Sequence, residues 1–153
     1  MSTRPNLLFI MTDQQRADAL SCAGGTPRTP HLDALAARGW RFTSAFAPSP
    51  VCMSCRLSLA TGRYPHNTGL WNNGDHTLEP GTATWMQAIR DAGYRTSLFG
   101  KTHYYKHSGD MREKVHVLEA AGFDDIDEIG GPRASARVMS HMTARRAPLR
   151  AAA

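Results

Sequence analysis

Residues 5–14 read Pro5-Asn6-Leu7-Leu8-Phe9-Ile10-Met11-Thr12-Asp13-Gln14, and this stretch decides the fold class. The segment 6–11 contains the continuous apolar run 7–11; Pro5 precedes it, and Thr12 and Asp13 follow it. Such a run is typical of a strand that is buried on both faces of a parallel sheet. A polar pair, Asp13 and Gln14, follows at the end of this predicted strand.

Helix and strand patterns alternate along the rest of the chain. We predict helices over 30–38, 52–61 and 84–92, strands over 41–47 and 94–99, and a long loop over 64–81. Proline at the start and glycine after the end support the first helix, and Gly62 supports the end of the second. Strand, helix, strand, helix, strand is the order of an α/β protein with a parallel sheet flanked by helices.

The composition favours an ordinary globular domain. The chain has 153 residues, of which 41% are hydrophobic and 20% charged. Its longest apolar run, 7–11, is too short for a membrane span or for the core of a signal peptide. We therefore expect a cytoplasmic protein that does not bind membranes. Three cysteines are too few for a disulfide framework, and no convincing second ligand pair accompanies Cys52 and Cys55 as zinc ligands.

The basic charge is concentrated at the end of the chain. The net charge is +5, but five arginines and no acid lie from residue 133 onward, which leaves residues 1–132 neutral. A nucleic-acid-binding surface needs clustered basic charge on the folded domain, so we expect no nucleic-acid partner. Residues 145–153 are rich in arginine and alanine, and we expect this tail to be disordered. Residues 1–144 form the predicted folded part.

Three polar clusters follow the predicted strands. They are Asp13 with Gln14, the segment 52–56, and the segment 101–103. In parallel sheets the ligand site lies beyond the carboxyl ends of the strands, so we expect the three clusters to converge there. This convergence is the strongest functional signal in the sequence.

Each cluster can be interpreted either as part of a functional site or as ordinary local structure. Asp13 and Gln14 offer oxygen ligands for Ca²⁺ or Mg²⁺, or they end a strand in a turn. Cys52 and Arg56 suit an anion at the start of a helix, or they are a structural cysteine and a surface arginine. Lys101 to His103 can bind an anion and move a proton, or they form a polar loop.

Three blocks of the sequence together resemble the sulfatase family of the alkaline phosphatase superfamily. The blocks are residues 5–14, residues 50–66 (Pro50-Val51-Cys52-Met53-Ser54-Cys55-Arg56 and onward to His66), and residues 93–103, which include Gly100-Lys101-Thr102-His103. They occur in the order of the family, and the likeness extends over about residues 4–143. Gln14 resembles the branch that contains choline sulfatases and phosphonate monoester hydrolases.

The resemblance implies an active site and its cofactors. Cys52 would be converted to formylglycine by a formylglycine-generating enzyme, and it would bind a divalent cation with Asp13 and Gln14. Ca²⁺ is the preferred cation, with Mg²⁺ or Mn²⁺ as alternatives. Arg56 would hold the formylglycine, and Lys101 and His103 would contact a small anionic sulfate ester or its leaving group.

One more residue belongs to the resemblance, and the chain differs from the family in two respects. Asn73 would be a substrate contact, although Asn72-Asn73-Gly74 also suits a plain turn. The family motif is C-x-P-S-R, whereas this chain has Ser54 and Cys55 at the third and fourth positions. Family members are also much longer, and their second pair of metal ligands lies beyond residue 153. We therefore expect an incomplete catalytic domain that is inactive alone.

Two other functions stay open at this point. One is a phosphonate monoester or phosphodiester hydrolase, since phosphate and sulfate groups are both tetrahedral anions. The other is a non-catalytic fragment or a binding module with a basic tail.

Overall fold

The structure is a computed structural model that describes residues 4–144. The predicted tail over 145–153 lies outside the described residues. The chain divides into two compact units, residues 1–45 and residues 46–153. The helices are α1 (Pro30–Arg38), α2 (Cys52–Thr61), α3 (Pro65–Thr68), α4 (Trp85–Asp91), α5 (Val115–Ala120) and α6 (Gly131–Ala134); the strands are β1 (Ser97–Gly100) and β2 (Asp125–Glu128).

The second unit contains a small parallel sheet with helices around it, as an α/β protein should. Strands β1 and β2 pair in parallel, with Ser97 opposite Asp125 and Gly100 opposite Glu128. An exposed bidentate pair between Arg95 and Asp125, with contacts of 2.7 and 2.6 Å, fixes the register at the start of the sheet. The predicted strand over 94–99 therefore exists but is shifted toward Gly100.

Helix α2 is the most deeply buried helix in the core of the second unit. It ends at Gly62, whose φ of 67° is left-handed and suits a residue without a side chain. Its buried apolar face is formed by Met53, Leu57 and Ala60. The other buried apolar residues of this core are Leu70, Leu78, Met86, Tyr104, Tyr105, Met111, Val117, Leu118, Ala121 and Phe123.

Helix α4 is fixed at its start by a capping box. The Thr84 hydroxyl accepts from the Gln87 backbone N–H at 3.2 Å, and the Gln87 side chain accepts from the Thr84 N–H at 3.1 Å. The Thr84 hydroxyl also donates to the Ala121 carbonyl at 2.6 Å. A side chain at Gly122 would lie 2.4 Å from the Gln87 nitrogen, so this close approach requires glycine.

The first unit departs from the predicted pattern. Helix α1 forms as predicted, and Asp33 joins it to the preceding loop by accepting from the Cys22 N–H at 2.9 Å. No strand forms over 6–11, however, and none forms over 41–47, which ends just inside the second unit; Leu8 and Phe46 are 85% and 90% exposed. Both strand predictions are wrong for this structure, because a strand exists only through hydrogen bonds to a neighbouring strand and neither segment has one in the structure.

Two other features bear on the predictions. The predicted loop over 64–81 contains the short helix α3. Among residues 4–144, no helix is both long and apolar enough to cross a membrane.

Candidate functional site

Helix α2 places Cys52 and Arg56 on one face. Cys52 is the first residue of the helix, and Arg56 lies four residues later, about one turn along. Both Cys52 and Cys55 are half-buried free thiols. The backbone N–H groups of the first turn point toward the same end of the helix as Cys52.

Asn73 caps the start of α2. Its side-chain oxygen accepts a hydrogen bond from the Met53 backbone N–H at 2.9 Å. Val51 occupies the N-cap position and cannot do this itself, since valine has no polar side chain. Asn73 thus lies next to Cys52 in space although 21 positions separate them in sequence, and the contact observed in the structure is with the backbone of the helix.

Arg56 connects α2 to the loop that follows β1. Its side chain is buried, with 8% of the residue exposed, and its Nη1 donates to the Lys101 carbonyl oxygen at 2.5 Å. A hydrogen bond from a guanidinium is charge-assisted and stronger than a neutral one. The structure therefore brings the second and third sequence blocks together through this contact.

Gly131, at the start of α6, leaves room for the Lys101 side chain. A Cβ at Gly131 would lie 3.1 Å from Lys101 Cδ and 3.7 Å from Lys101 Nζ. The φ of Gly131 is +79°, a conformation that also favours glycine. The absence of a side chain at this position therefore helps to set where the lysine lies.

His103 has an unusual backbone conformation and a lowered pKa. Its φ of 59° is left-handed, which is uncommon for a residue other than glycine. Burial, followed by the charges of His107, Lys101 and Arg56, lowers the pKa of His103 to about 4, although Glu128 opposes the shift. Its Nδ1 is buried without a hydrogen-bond partner. At neutral pH the ring is therefore neutral.

Two residues that sequence reasoning assigned no role lie beside this loop. Glu128, at the end of β2, is fully buried, and the His107 side chain is 2% exposed. The two are 3.2 Å apart, measured from His107 Nε2 to Glu128 Oε1. Glu128 follows the rule that picked out Lys101, since it ends a parallel strand next to β1, but its acidic strand was not recognised in the sequence.

Asp13 and Gln14 lie in the first unit. Both are exposed and form a bend, and Gln14 has a left-handed φ of 54°. Among residues 4–144, Gln14 and His103 are the two residues other than glycine with positive φ. Sparsely populated backbone conformations cluster at functional sites. That Asp13 and Gln14 complete a site with Cys52 stays a prediction.

The described residues do not form a complete metal site. Within residues 4–144, no group of three or more His, Cys, Asp or Glu side chains is arranged to hold a metal ion. Asp13 and Gln14 offer two oxygen-bearing side chains, whereas Ca²⁺ takes six to eight oxygen ligands.

Comparisons with known proteins agree with these motifs. The family model described as Sulfatase matches residues 5–140. The chain is 43% identical over 107 residues to the uncharacterized sulfatase YidJ of Escherichia coli, covering 68% of this chain and 21% of that protein. It is 35% identical over 129 residues to an N-acetylglucosamine-6-O-sulfatase of Bacteroides thetaiotaomicron, covering 84% of this chain and 21% of that protein.

A solved structure shows the same likeness. BT4656, determined in complex with D-glucosamine-2-N,6-O-disulfate, matches with a TM-score of 0.63 and 34% sequence identity. The match covers 67% of this chain and 21% of that one. The chain thus spans about a fifth of the length of the proteins that it matches.

Proposed function

This chain belongs to the sulfatase family, and from that membership we propose that it supplies part of a catalytic site for the hydrolysis of sulfate esters. The observation that carries the proposal is the buried contact between Arg56 and the Lys101 carbonyl. It joins the helix that begins with Cys52 to the loop that contains Lys101 and His103. These are the two segments that the resemblance marks as catalytic.

We propose that Cys52 is the residue converted to formylglycine. When present, that group would supply a hydrated aldehyde as the nucleophile. Cys52 has the required spacing to Arg56, whereas Cys55 is its immediate neighbour. A formylglycine-generating enzyme is the partner that this conversion needs.

Lys101 would bind the sulfate group, and Arg56, which would hold the formylglycine, adds positive charge beside it. A sulfate ester carries negative charge on its terminal oxygens, and the two cations lower the pKa of His103 by their proximity. Preorganised cations in a partly buried site stabilise charge that develops in the transition state. The dipole at the start of α2 adds to this positive potential.

His103 would transfer a proton to or from the oxygen of the leaving alcohol. Its neutral ring in the unliganded chain follows from burial and from the neighbouring cations. An anionic sulfate beside Lys101 and Arg56 would offset those cations and raise the pKa of His103. Substrate binding would therefore move the ring toward the range in which it acts as a general acid.

The finer assignments rest on the resemblance. We propose a divalent cation, Ca²⁺ before Mg²⁺ or Mn²⁺, with Asp13, Gln14 and Cys52 among its ligands. A sulfated sugar is a suitable substrate class, since the matching BT4656 structure contains a disulfated glucosamine. Gln14 favours a second candidate activity, the hydrolysis of phosphonate monoesters or phosphodiesters, because that branch of the family shares it.

The test uses the full chain, coexpressed with a formylglycine-generating enzyme and supplied with Ca²⁺. Turnover of nitrophenyl sulfate is compared with turnover of a phenylphosphonate ester on a full-length relative, because this chain is expected to be inactive alone. Binding of inorganic sulfate to the chain is followed by NMR. We expect sulfate to shift the backbone amide signals of residues 101 and 103 in the wild type and to shift them much less in Lys101→Ala. The control is Arg63→Ala, which removes an exposed arginine after α2. Perturbation that is unchanged in Lys101→Ala would contradict the proposal, and it would favour the non-catalytic alternative.

A further inference from the structure

Glu128 is a buried carboxylate that collects hydrogen bonds from the candidate catalytic loop. Its Oε1 accepts from the Thr102 backbone N–H at 3.3 Å and from the Thr102 hydroxyl. Its Oε2 accepts from the Tyr105 hydroxyl. A buried carboxylate is costly unless several donors satisfy it, so these bonds hold the loop firmly against the end of β2. Burial raises the pKa of Glu128, but the nearby His107 ring and the hydrogen bonds from Thr102 and Tyr105 outweigh it and lower the pKa overall.

His107 fills the space between Glu128 and His103. Its Nδ1 lies 3.3 Å from the Gly130 carbonyl oxygen, and its Nε2 lies 3.2 Å from Glu128 Oε1. Its ring centroid is 4.6 Å from that of His103, with the planes tilted by 36°. The ring thus contacts the carboxylate on one side and the His103 imidazole on the other.

We infer that Glu128 and His107 form a positioning pair for His103, a role that rests on the catalytic function proposed above for that residue. Glu128 fixes Thr102, which lies between Lys101 and His103 in sequence, and thereby holds both flanking residues in place. His107 packs against the His103 ring and sets the charge that this ring experiences. The positive φ of His103 agrees with a loop that is held from both sides.

The electrostatics around His103 support this pair. The groups that act on its ring are His107, Lys101 and Arg56, which disfavour protonation, and Glu128, which favours it. His107 has the largest effect after burial on the pKa of His103. A purely structural brace would hold the loop without moving the titration of its neighbour, so the titration distinguishes the two roles.

The first experiment is an NMR titration of the His103 ring in the full chain, in the wild type and in His107→Phe. Phenylalanine keeps an aromatic ring beside His103 but removes the second imidazole. We expect the midpoint of His103 to rise by about one pH unit, since His107 lowers the pKa of His103. His116→Gln is the matched control, because the His116 ring is exposed and lies against the Glu113 carbonyl oxygen, away from His103. The His103 midpoint should stay the same in this variant. A folded His107→Phe variant with an unchanged midpoint would overturn the inference.

The second experiment tests the hold on Thr102. Thr102→Val keeps the side-chain shape and removes the hydroxyl that donates to Glu128. We expect amide hydrogen exchange of residues 101–103 to speed up at least about tenfold, while exchange in α4 stays the same. Unchanged exchange in the loop would overturn the inference, and this variant decides alone if His107→Phe does not fold. Neither readout needs turnover, so a failure of the proposed sulfatase activity leaves both results interpretable.

Discussion

The Arg56 guanidinium donates to the carbonyl oxygen of Lys101 at 2.5 Å, across 45 positions of sequence. Arg56 also lies in the most buried stretch of α2, among Ser54, Leu57 and Ser58. One side chain therefore serves two purposes. It adds positive charge near His103, and it ties the helix that begins at Cys52 to the loop that follows β1.

Arg56→Ala should destabilise the chain as well as weaken anion binding. The change leaves a buried carbonyl without its donor and opens a cavity, and we expect a loss of about 2–4 kcal/mol in the free energy of unfolding. Urea denaturation measures it. Arg63→Ala removes an exposed arginine just after α2 and should change stability by less than about 0.5 kcal/mol. Equal losses in the two variants would show that the buried contact contributes no more to stability than an exposed arginine does.

Asn73→Ala should loosen the start of α2. The substitution removes the acceptor of the Met53 N–H, and loss of a helix cap costs about 1 kcal/mol. Faster amide exchange at residues 52–54 should accompany the loss. Asn72→Ala is the matched control, because within residues 4–144 the Asn72 side chain makes no hydrogen bond to the helix. An identical stability for Asn73→Ala and the wild type would argue against the cap.

Cys52 should be the cysteine that is modified during maturation. Its spacing to Arg56 matches the family motif, and Cys55 does not have this spacing. Coexpression with a formylglycine-generating enzyme, followed by peptide mass spectrometry, should show conversion of the Cys52 thiol to an aldehyde. Conversion should persist in Cys55→Ser and vanish in Cys52→Ser. An aldehyde at Cys55 would contradict the assignment.

Stability should fall as the pH decreases from 6.5 to 4. His103 has a pKa of about 4 in the folded chain against an ordinary value of 6.5, so between these values the unfolded chain takes up a proton that the folded chain does not. The loss in the free energy of unfolding should be about 1–2 kcal/mol. This is less than the full pKa shift would give, because the ring is only half-buried and solvent screens it. Thermal melts across this range measure it.

The control for this pH dependence is His103→Gln, which should flatten the slope between pH 6.5 and 4. Asp110 and Asp125 cannot produce the same slope. Hydrogen bonds from Arg112 and Arg95, respectively, are the leading cause that lowers the pKa of each carboxyl to about 2, so their contribution is lost only below the ordinary value of 3.8. A slope that survives in His103→Gln would show that another group carries it.

Gly131→Ala should displace Lys101. The added Cβ would lie 3.1 Å from Lys101 Cδ, and the φ of +79° adds backbone strain, so we expect a loss of about 1–2 kcal/mol together with weaker binding of inorganic sulfate. Gly109→Ala is the matched control, since Gly109 also has a positive φ but faces open space. Both variants should lose stability, and only Gly131→Ala should lose sulfate affinity, which NMR titration measures. Equal sulfate affinities would contradict the steric argument.

Local signals explain which elements could be predicted from the sequence. Helices α2 and α4 were predicted well because the signals that end or begin them, Gly62 and Thr84, act on their own neighbours. Strands depend on partners that sequence periodicity does not identify, so the apolar run 6–11 gave a wrong prediction for this structure. Strand β2 was missed because its sequence does not have the apolar pattern of a strand. Three of its four residues are acidic, and they are stabilised by tertiary contacts such as the pair between Arg95 and Asp125.

The candidate site was predictable only in part. Motif spacing selected Arg56 and Lys101, which the structure brings into contact, although their chemical roles stay predictions. His107 and Glu128 escaped notice because a buried glutamate stands out only once its donors are known. Their spacing in the sequence, 21 positions apart, matches no ligand or catalytic motif.

The left-handed backbone at His103 restricts which residues the position can accept. A replacement must satisfy the handedness of the main chain as well as the chemistry of the ring, and these are separate demands. Asparagine tolerates this backbone conformation but has no group that titrates near neutral pH. A β-branched residue would neither tolerate the conformation nor supply the imidazole. A D-amino acid favours this region of φ, so a chain assembled by ligation with D-histidine at this one position would keep the imidazole and relieve the strain. The side chain would then leave Cα in a different direction, and that single inversion of chirality would separate the contribution of the ring from the contribution of where it points.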